Sequence, residues 1–320
     1  MPQSFGIYEH IIKNLRHLDY EVVDISMDAD RDFKYPNIGY KIYNFLRKVF
    51  LDDKDYKKKL KQNKVGKYIL PTLEKLIDKA DYALIIRPDI YPRSTIKAIK
   101  RKTHFMVGYQ WDGLKRFPMV KLYVKYFDRF FVFDKEDLDG GKYSLLTNFY
   151  FDYPILKERI EIIPNSVYFV GNYFENRKSI LEKIGEKVSK QGMNSRITVL
   201  LSPPNYDKEG SSSYVNYVKG EISFEENIKR VLESEILVDI VNTVHKGLSF
   251  RVFEALGNDK KLITNNTTIK EYDFYNPNNI FVIENENLEG LEAFLKTDYI
   301  IDEKIKEKYA FSNWIKRVLE

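Results

Sequence analysis

Apolar positions along this chain follow two periods. Some short runs are apolar at nearly every position: Tyr82 to Arg87 (YALIIR), His104 to Tyr109 (HFMVGY), Arg129 to Phe133 (RFFVF), Val167 to Gly171 (VYFVG), Arg196 to Leu201 (RITVLL), Ile236 to Val241 (ILVDIV), Lys261 to Thr264 (KLIT) and Asn279 to Ile283 (NIFVI). Tyr20 to Ile25 (YEVVDI) joins them. Runs of this length and β-branched content read as buried strands. Between them, apolar residues recur every three or four positions, the spacing of a helix with one buried stripe. These stretches predict helices at Tyr8 to Leu18, Ile38 to Gln62, Pro71 to Lys79, Ser94 to Arg101 and Pro118 to Tyr126 in the first half. In the second half they predict helices at Glu175 to Lys190, Ser223 to Glu233, Ser249 to Leu256 and Leu288 to Leu295.

Strands alternating with helices predict an α/β fold whose sheets are parallel and joined by crossovers. A break near ERIEIIPNS, Glu158 to Ser166, divides the pattern into a first domain over 1–160 and a second over 161–300. The segment 301–320 reads as a helix that folds back onto the first domain. A Rossmann-like half opens with an apolar strand that becomes central in its sheet. Here the sequence starts at what reads as the following loop and helix, PQSFGIYEHIIKNL, so the first strand is expected to be missing.

Composition narrows the function classes. With 320 residues and 43% hydrophobic content, two ordinary cores can form. No apolar run approaches the length of a membrane span, and the start lacks a signal peptide's pattern, so a cytoplasmic protein is expected. The absence of Cys excludes disulfides and thiolate metal sites. The net charge of +5, from 52 basic and 47 acidic residues, is too balanced for a nucleic-acid binder. It admits phosphate-bearing ligands and peripheral contact with the anionic inner membrane surface. The lysine cluster Asp52 to Lys64 reads first as a solvated helix face. The 24 Tyr and 21 Phe accompany abundant Lys, Asn and Ile, the bias of an AT-rich coding sequence, and most of these rings are expected to serve packing.

One stretch carries more chemistry than its neighbours: HKGLSFRVFEALGNDKKLIT, His245 to Thr264. Gly247 is expected to turn, Ser249 to cap a helix, and Gly257 to end it in a left-handed conformation. Leu248, Val252, Phe253 and Leu256 form its buried stripe, leaving Arg251 and Glu254 one turn apart on a neighbouring face. A helix N-terminus with an arginine attracts phosphate, and a carboxylate one turn on suits adjacent ribose hydroxyls. The same residues also fit a plain surface ion pair, and the stretch alone leaves the two open.

GLSFRVFEALGNDKKLIT resembles the donor-binding segment of GT-B glycosyltransferases, in particular bacterial CgeB-like and lipopolysaccharide-core biosynthesis transferases. VYFVGNYFENRKSILEKI, YDFYNPNNIFVI, YQWDGLKRFPMV and FDRFFVFDKEDL agree with it. The resemblance implies two Rossmann-like domains facing a cleft, the second binding a nucleotide-sugar donor and the first a glycan or glycolipid acceptor. It places Glu254 at the donor's ribose, Gly247, Leu248 and Ser249 beside its phosphates, and Gly171, Asn172 and Arg177 facing the diphosphate. Many retaining members carry a glutamate where this chain has Lys246, which leaves the stereochemical course open; the lysine is a candidate phosphate contact instead. His245 is a further candidate for the donor.

Transfer to a hydroxyl with inversion needs a general base. Asp112, in QWDG, is the first candidate and Glu9, in FGIYEH, the second; Trp111 is a candidate to stack on an acceptor sugar. The triplets Asp28 to Asp30 and Asp137 to Asp139 are read as surface charge, and no metal or other cofactor is expected. A sugar-nucleotide-binding protein without catalysis and a sugar-nucleotide epimerase of the same shape are the alternatives. Glu254→Gln is expected to weaken nucleotide binding at little cost in stability, and Arg251→Ala to behave similarly.

Overall fold

The computed structural model describes residues 1–3, 6–27, 33–53, 55–156, 158–241 and 246–320. The first lobe contains α1 (Ile7–His17), α2 (Ile38–Phe50), α3 (Tyr56–Glu74), β1 (Ala80–Ile86), α4 (Arg93–Arg101), β2 (Thr103–Gln110), β3 (Arg129–Val132) and β4 (Ser144–Leu145). Its strands form a parallel sheet in the order β1-β2-β3-β4. The second lobe contains β5 (Ser166–Asn172), α5 (Glu175–Lys190), β6 (Asn194–Leu201), β7 (Gly210–Ser211), β8 (Val215–Lys219), α6 (Phe224–Glu233), β9 (Ile236–Asp239), α7 (Phe250–Gly257), β10 (Lys261–Thr264), β11 (Ile280–Val282) and α8 (Leu291–Leu295). Its sheet runs β11-β10-β9-β5-β6-β8-β7, parallel except for the short β7. The α/β class and parallel pairing follow the sequence pattern.

Several elements differ from expectation. Tyr20 to Ile25 is not a strand; the neighbouring Met27 makes one parallel bridge with Pro2. Its apolar content is strand-like, but at its end the Asp24 carboxylate accepts from Ser26 N–H at 2.7 Å in a local turn. The single helix expected over Ile38 to Gln62 is two, α2 and α3. Between them Arg47 Nε donates to Asp53 at 2.9 Å and turns the chain. Pro71 lies near the end of α3 instead of opening a helix, and Pro118 to Tyr126 forms only two short 3-10 turns.

One core cluster of the first lobe is rich in aromatic rings and takes in a distant segment. After α9 (Glu303–Glu307), α10 (Phe311–Leu319) inserts Phe311, Trp314, Ile315 and Val318 among Ile86, Tyr109, Phe131 and Phe149. Trp314 is fully buried and its indole N–H donates to Thr147 O at 2.9 Å. Tyr150 N–H donates to Tyr309 O at 3.0 Å and Phe311 N–H to Tyr150 O at 2.8 Å. In the second lobe, Ile180, Leu181, Ile184 and Val188 of α5 pack on Val167, Ile197 and Val199.

Candidate functional site

In a parallel sheet, loops at the carboxyl ends of the strands collect the chemistry, above all where the strand order reverses. Here that point lies between β5 and β9: from β5 the chain runs outward through β6, then returns to β9, β10 and β11 on the other side. Gly171 and Asn172 end β5, and Asp239 ends β9. A cavity of about 410 Å³ bounded by Asn165, Glu235, Lys260 and Tyr299 lies at the opposite, amino-terminal edge. We assign the chemistry to the carboxyl edge, because the concentrated charge is there.

Two arginines converge on the switch point. Arg177 stands in the first turn of α5, its guanidinium over the Phe174 ring at 4.7 Å. Arg251 stands in the first turn of α7, over the Tyr168 ring at 5.3 Å. Both guanidiniums act on Asp239, whose carboxyl burial nonetheless pushes above its ordinary value. Burial lowers the Arg177 pKa against the pull of Asp239. Arg177 Nε and Arg251 Nη1 are buried and have no hydrogen-bond acceptor. A buried cationic donor without an acceptor is costly, so an anion that reaches either group would relieve it. Gly171 leaves the approach open: a Cβ there would lie 2.9 Å from Phe169 and 3.6 Å from Arg177 Nη1.

Glu254 sits one turn further along α7, buried at 5% exposure. Its Oε1 accepts from Asn227 Nδ2 at 2.9 Å, and its Oε2 lies 3.4 Å from Arg251 Nε. Burial raises its pKa against the opposing effects of Arg251 and Asn227. Asn227 Oδ1 in turn accepts from Arg251 Nη2 at 3.1 Å and from the Tyr168 hydroxyl at 3.2 Å. Of the two readings the sequence left open, the solvated surface pair is excluded: the pair is part of a buried network.

The local details of α7 depart from the expected ones. Ser249 occupies the cap position, but its hydroxyl donates to Asp239 Oδ1 at 2.8 Å and makes no cap bond. Gly257 is helical, not left-handed. It is small because a Cβ would lie 2.2 Å from the Tyr150 ring, and the left-handed residue is Asp259, with φ 54°. Gly247 has no left-handed geometry either; a Cβ there would meet the Phe133 ring at 2.5 Å.

Lys246, Gly247 and Leu248 therefore form the seam between the lobes. Lys246 N–H donates to Asp134 Oδ2 at 2.7 Å, and its ammonium lies 2.7 Å from Glu136. Hydrogen bonds from Lys115 and Lys246 hold the Glu136 carboxyl down to about 2. Leu248 is buried, and its carbonyl accepts from Asn148 Nδ2 at 3.0 Å. Asn266 Nδ2 reaches Lys246 O at 3.1 Å from the loop after β10. His245 and the triplet at Asp28 to Asp30 lie outside the described residues.

Across the seam, Asp112 follows β2 and is held by two arginines: Arg87 Nη1 at 3.0 Å and Arg116 Nη1 at 3.4 Å. Arg87 ends β1 in a left-handed conformation, φ 59°. Such strain in a non-glycine residue persists only where the surroundings fix it. Here they do: Arg87 donates to the buried Asp89 at 2.8 and 3.1 Å and lies 3.5 Å over the Phe117 ring. Trp111 is half-buried against the aromatic core. Glu9 is exposed on the first turn of α1, where its carboxylate accepts from the Tyr8 hydroxyl at 3.0 Å. Asp137, read as surface charge, is buried and accepts from Leu114 N–H at 2.7 Å. Among the described residues no group of three or more His, Cys, Asp or Glu is placed to hold a metal ion. Among them, too, no helix is long and apolar enough to cross a membrane.

Sequence reasoning missed Asn227 and Asp239. Both carried a signal. Asn227 lies on the same helical stripe as Phe224, Ile228 and Val231, where an apolar residue is expected, and Asp239 interrupts the apolar run ILVDIV.

No family model matches the chain, and no curated protein matches it in sequence. Solved structures are similar to it. One is an α-glucosyltransferase in complex with UDP-glucose and DNA containing an abasic site: TM-score 0.50, 12% identity, covering 79% of this chain and 77% of that one. Another is a glycosyltransferase from Rickettsia africae: TM-score 0.47, 11% identity, covering 99% and 94%. The chain has the two-lobed GT-B architecture, with two α/β lobes of parallel strands.

Proposed function

We propose that this chain is a glycosyltransferase moving a sugar from a nucleotide-sugar donor to a hydroxyl of a glycan or glycolipid. The observation that carries the reading is the pair of buried, acceptor-less guanidinium N–H groups of Arg177 and Arg251 at the switch point between β5 and β9. A diphosphate supplies the acceptors these groups lack. Negative charge grows on that leaving group during transfer, so preorganised cations there favour the transition state. Glu254 takes the ribose hydroxyls. Its Oε2 is the more loosely held oxygen, at 3.4 Å from Arg251, and is freed when Arg251 turns to the diphosphate. Gly171 and Asn172 frame the approach, and the seam at Lys246 to Ser249 sets the spacing between donor and acceptor lobes.

Asp112 is the proposed base for the acceptor hydroxyl, oriented by Arg87 and Arg116. With Lys246 tied to Glu136 at the seam, the reading favours inversion. Trp111 borders the acceptor side. The likeness of the motif strings to CgeB-like and lipopolysaccharide-core transferases supports an acceptor in cell-surface polysaccharide assembly on the cytoplasmic side. No metal is called for.

One observation favours a second reading. Both Asp112 oxygens are taken up by arginines, as suits a sugar-nucleotide-binding protein that does not turn over. Incubation with a panel of nucleotide sugars, followed for nucleoside diphosphate release, separates the two. Release supports transfer; binding without release supports the second reading; the absence of both removes the site.

A further inference from the structure

The helix α2 is built inside out. At the roughly 100° per residue of an α-helix, Phe45, Ile38, Val49, Ile42 and Leu46 share one arc, and Asn44 and Arg47 lie on the opposite side. A helix on a protein surface ordinarily turns its apolar arc inward. Here the polar side is the packed one. Asn44 is 6% exposed and donates to the Tyr35 hydroxyl at 3.0 Å, and Arg47 holds Asp53 and the Tyr43 hydroxyl. The apolar arc faces outward: Ile38 is 76% exposed, Phe45 62%, and Phe50, at the helix end, 74%. Among the described residues nothing covers it. A contiguous exposed row of large apolar side chains marks a surface that meets a partner.

Charge identifies the partner. Residues 33–67, which contain α2 and most of α3, carry eleven Lys or Arg and three Asp or Glu, a surplus of eight positive charges. The whole chain carries +5, so the remainder is net −3. The basic surplus is thus concentrated in the stretch of chain that carries the exposed helix. Lys41 and Lys48 flank the apolar arc on one side, and both are exposed. An apolar helix face bordered by lysines matches the boundary between acyl chains and anionic headgroups. Nucleic acid would satisfy the lysines but leave Ile38, Ile42, Phe45 and Val49 in water. A second copy of the chain would cover the apolar arc but bring two basic surfaces together.

We propose that α2 forms a docking surface for an anionic lipid bilayer, lying in the plane of the headgroups with Lys41 and Lys48 toward them. This does not depend on the sugar-transfer reading, because none of these residues belongs to the switch-point site.

The test is co-sedimentation of the full chain with phosphatidylcholine vesicles and with equimolar phosphatidylcholine and phosphatidylglycerol vesicles. Two variants accompany it: Ile42→Ser/Phe45→Ser/Val49→Ser, and Lys41→Glu/Lys48→Glu, which keeps the apolar arc. The expected result is binding to the anionic vesicles only, weakened by added salt and reduced at least tenfold in each variant. Melting temperatures should stay unchanged, since all five positions are exposed. Failure of the wild type to bind either vesicle overturns the proposal, as does undiminished binding by the apolar variant. So does vesicle-independent dimerisation that this variant abolishes, or retention of duplex DNA in place of vesicles.

Discussion

Arg251 precedes Glu254 by one turn of α7, with Nε 3.4 Å from Oε2, and the two side chains are 13% and 6% exposed. The pair is asymmetric. Burial raises the Glu254 pKa despite the nearby guanidinium, so the carboxylate's charge costs more than the arginine returns. Replacing Glu254 with its neutral isostere should therefore cost no stability while weakening nucleoside diphosphate binding. We expect a loss of about 1–3 kcal/mol in binding, the scale of a charged hydrogen bond, with no fall in melting temperature. Calorimetric titration with UDP beside a thermal melt checks both; unaffected UDP affinity would remove Glu254 from the site.

Arg251→Ala, expected from sequence to behave like Glu254→Gln, should differ. It strips the cation from a buried carboxylate and uncovers the Tyr168 ring. We expect a stability loss of about 3 kcal/mol in addition to weaker diphosphate binding. Chemical denaturation gives the number, and a variant as stable as wild type would contradict the geometry.

The raised pKa of Glu254 has a signed consequence for pH. The folded state holds that proton more tightly than the unfolded chain, so the group's contribution is full below the ordinary carboxylate range, at about pH 4. It is lost as pH rises through the interval up to the raised value. Asp239, raised by burial, acts in the same direction. Other carboxylates are shifted the opposite way, so the contrast with a variant isolates the effect. Measured across that interval, the stability of Glu254→Gln relative to wild type should climb with pH. A flat difference would show that Glu254 titrates normally.

Gly247→Ala tests the seam. The added methyl would lie 2.5 Å from the Phe133 ring, which is itself core. Overpacking of this kind costs about 1–3 kcal/mol. Because the clash lies between lobes, it should also slow transfer while sparing UDP affinity. A melting curve and a turnover assay that both match wild type would mean the lobes meet elsewhere.

On the acceptor side, Asp112→Asn keeps hydrogen-bonding capacity toward Arg87 and removes the proposed base. We expect turnover to fall by about 10²–10⁴-fold with UDP binding intact. A variant that still transfers at the wild-type rate would return Asp112 to a structural role with Arg87.

The second lobe was more legible in sequence than the first. The stripe Ile180, Leu181, Ile184 and Val188 predicts α5 at the bounds the structure gives, since a helix needs only its own spacing to be recognised. A strand needs a partner. The apolar run in Tyr20 to Ile25 could not reveal that no neighbouring strand receives it. The division between α2 and α3 was hidden for a similar reason, because the tie from Arg47 to Asp53 depends on side-chain placement. At the site, Arg251 and Glu254 could be read because one helix carries both. Asn227 reaches Glu254 from α6 and Asp239 reaches Ser249 from β9, contacts that only tertiary packing creates.

The strap formed by α10 bears on how the molecule is made. Trp314 and Phe311 complete an interior whose other walls, Ile86, Tyr109 and Phe149, leave the ribosome far earlier. The leading lobe must therefore wait, its aromatic wall uncovered, until the second lobe has been synthesised and residues 311–319 arrive. Cutting the chain between the lobes would yield one incomplete half, not two working ones.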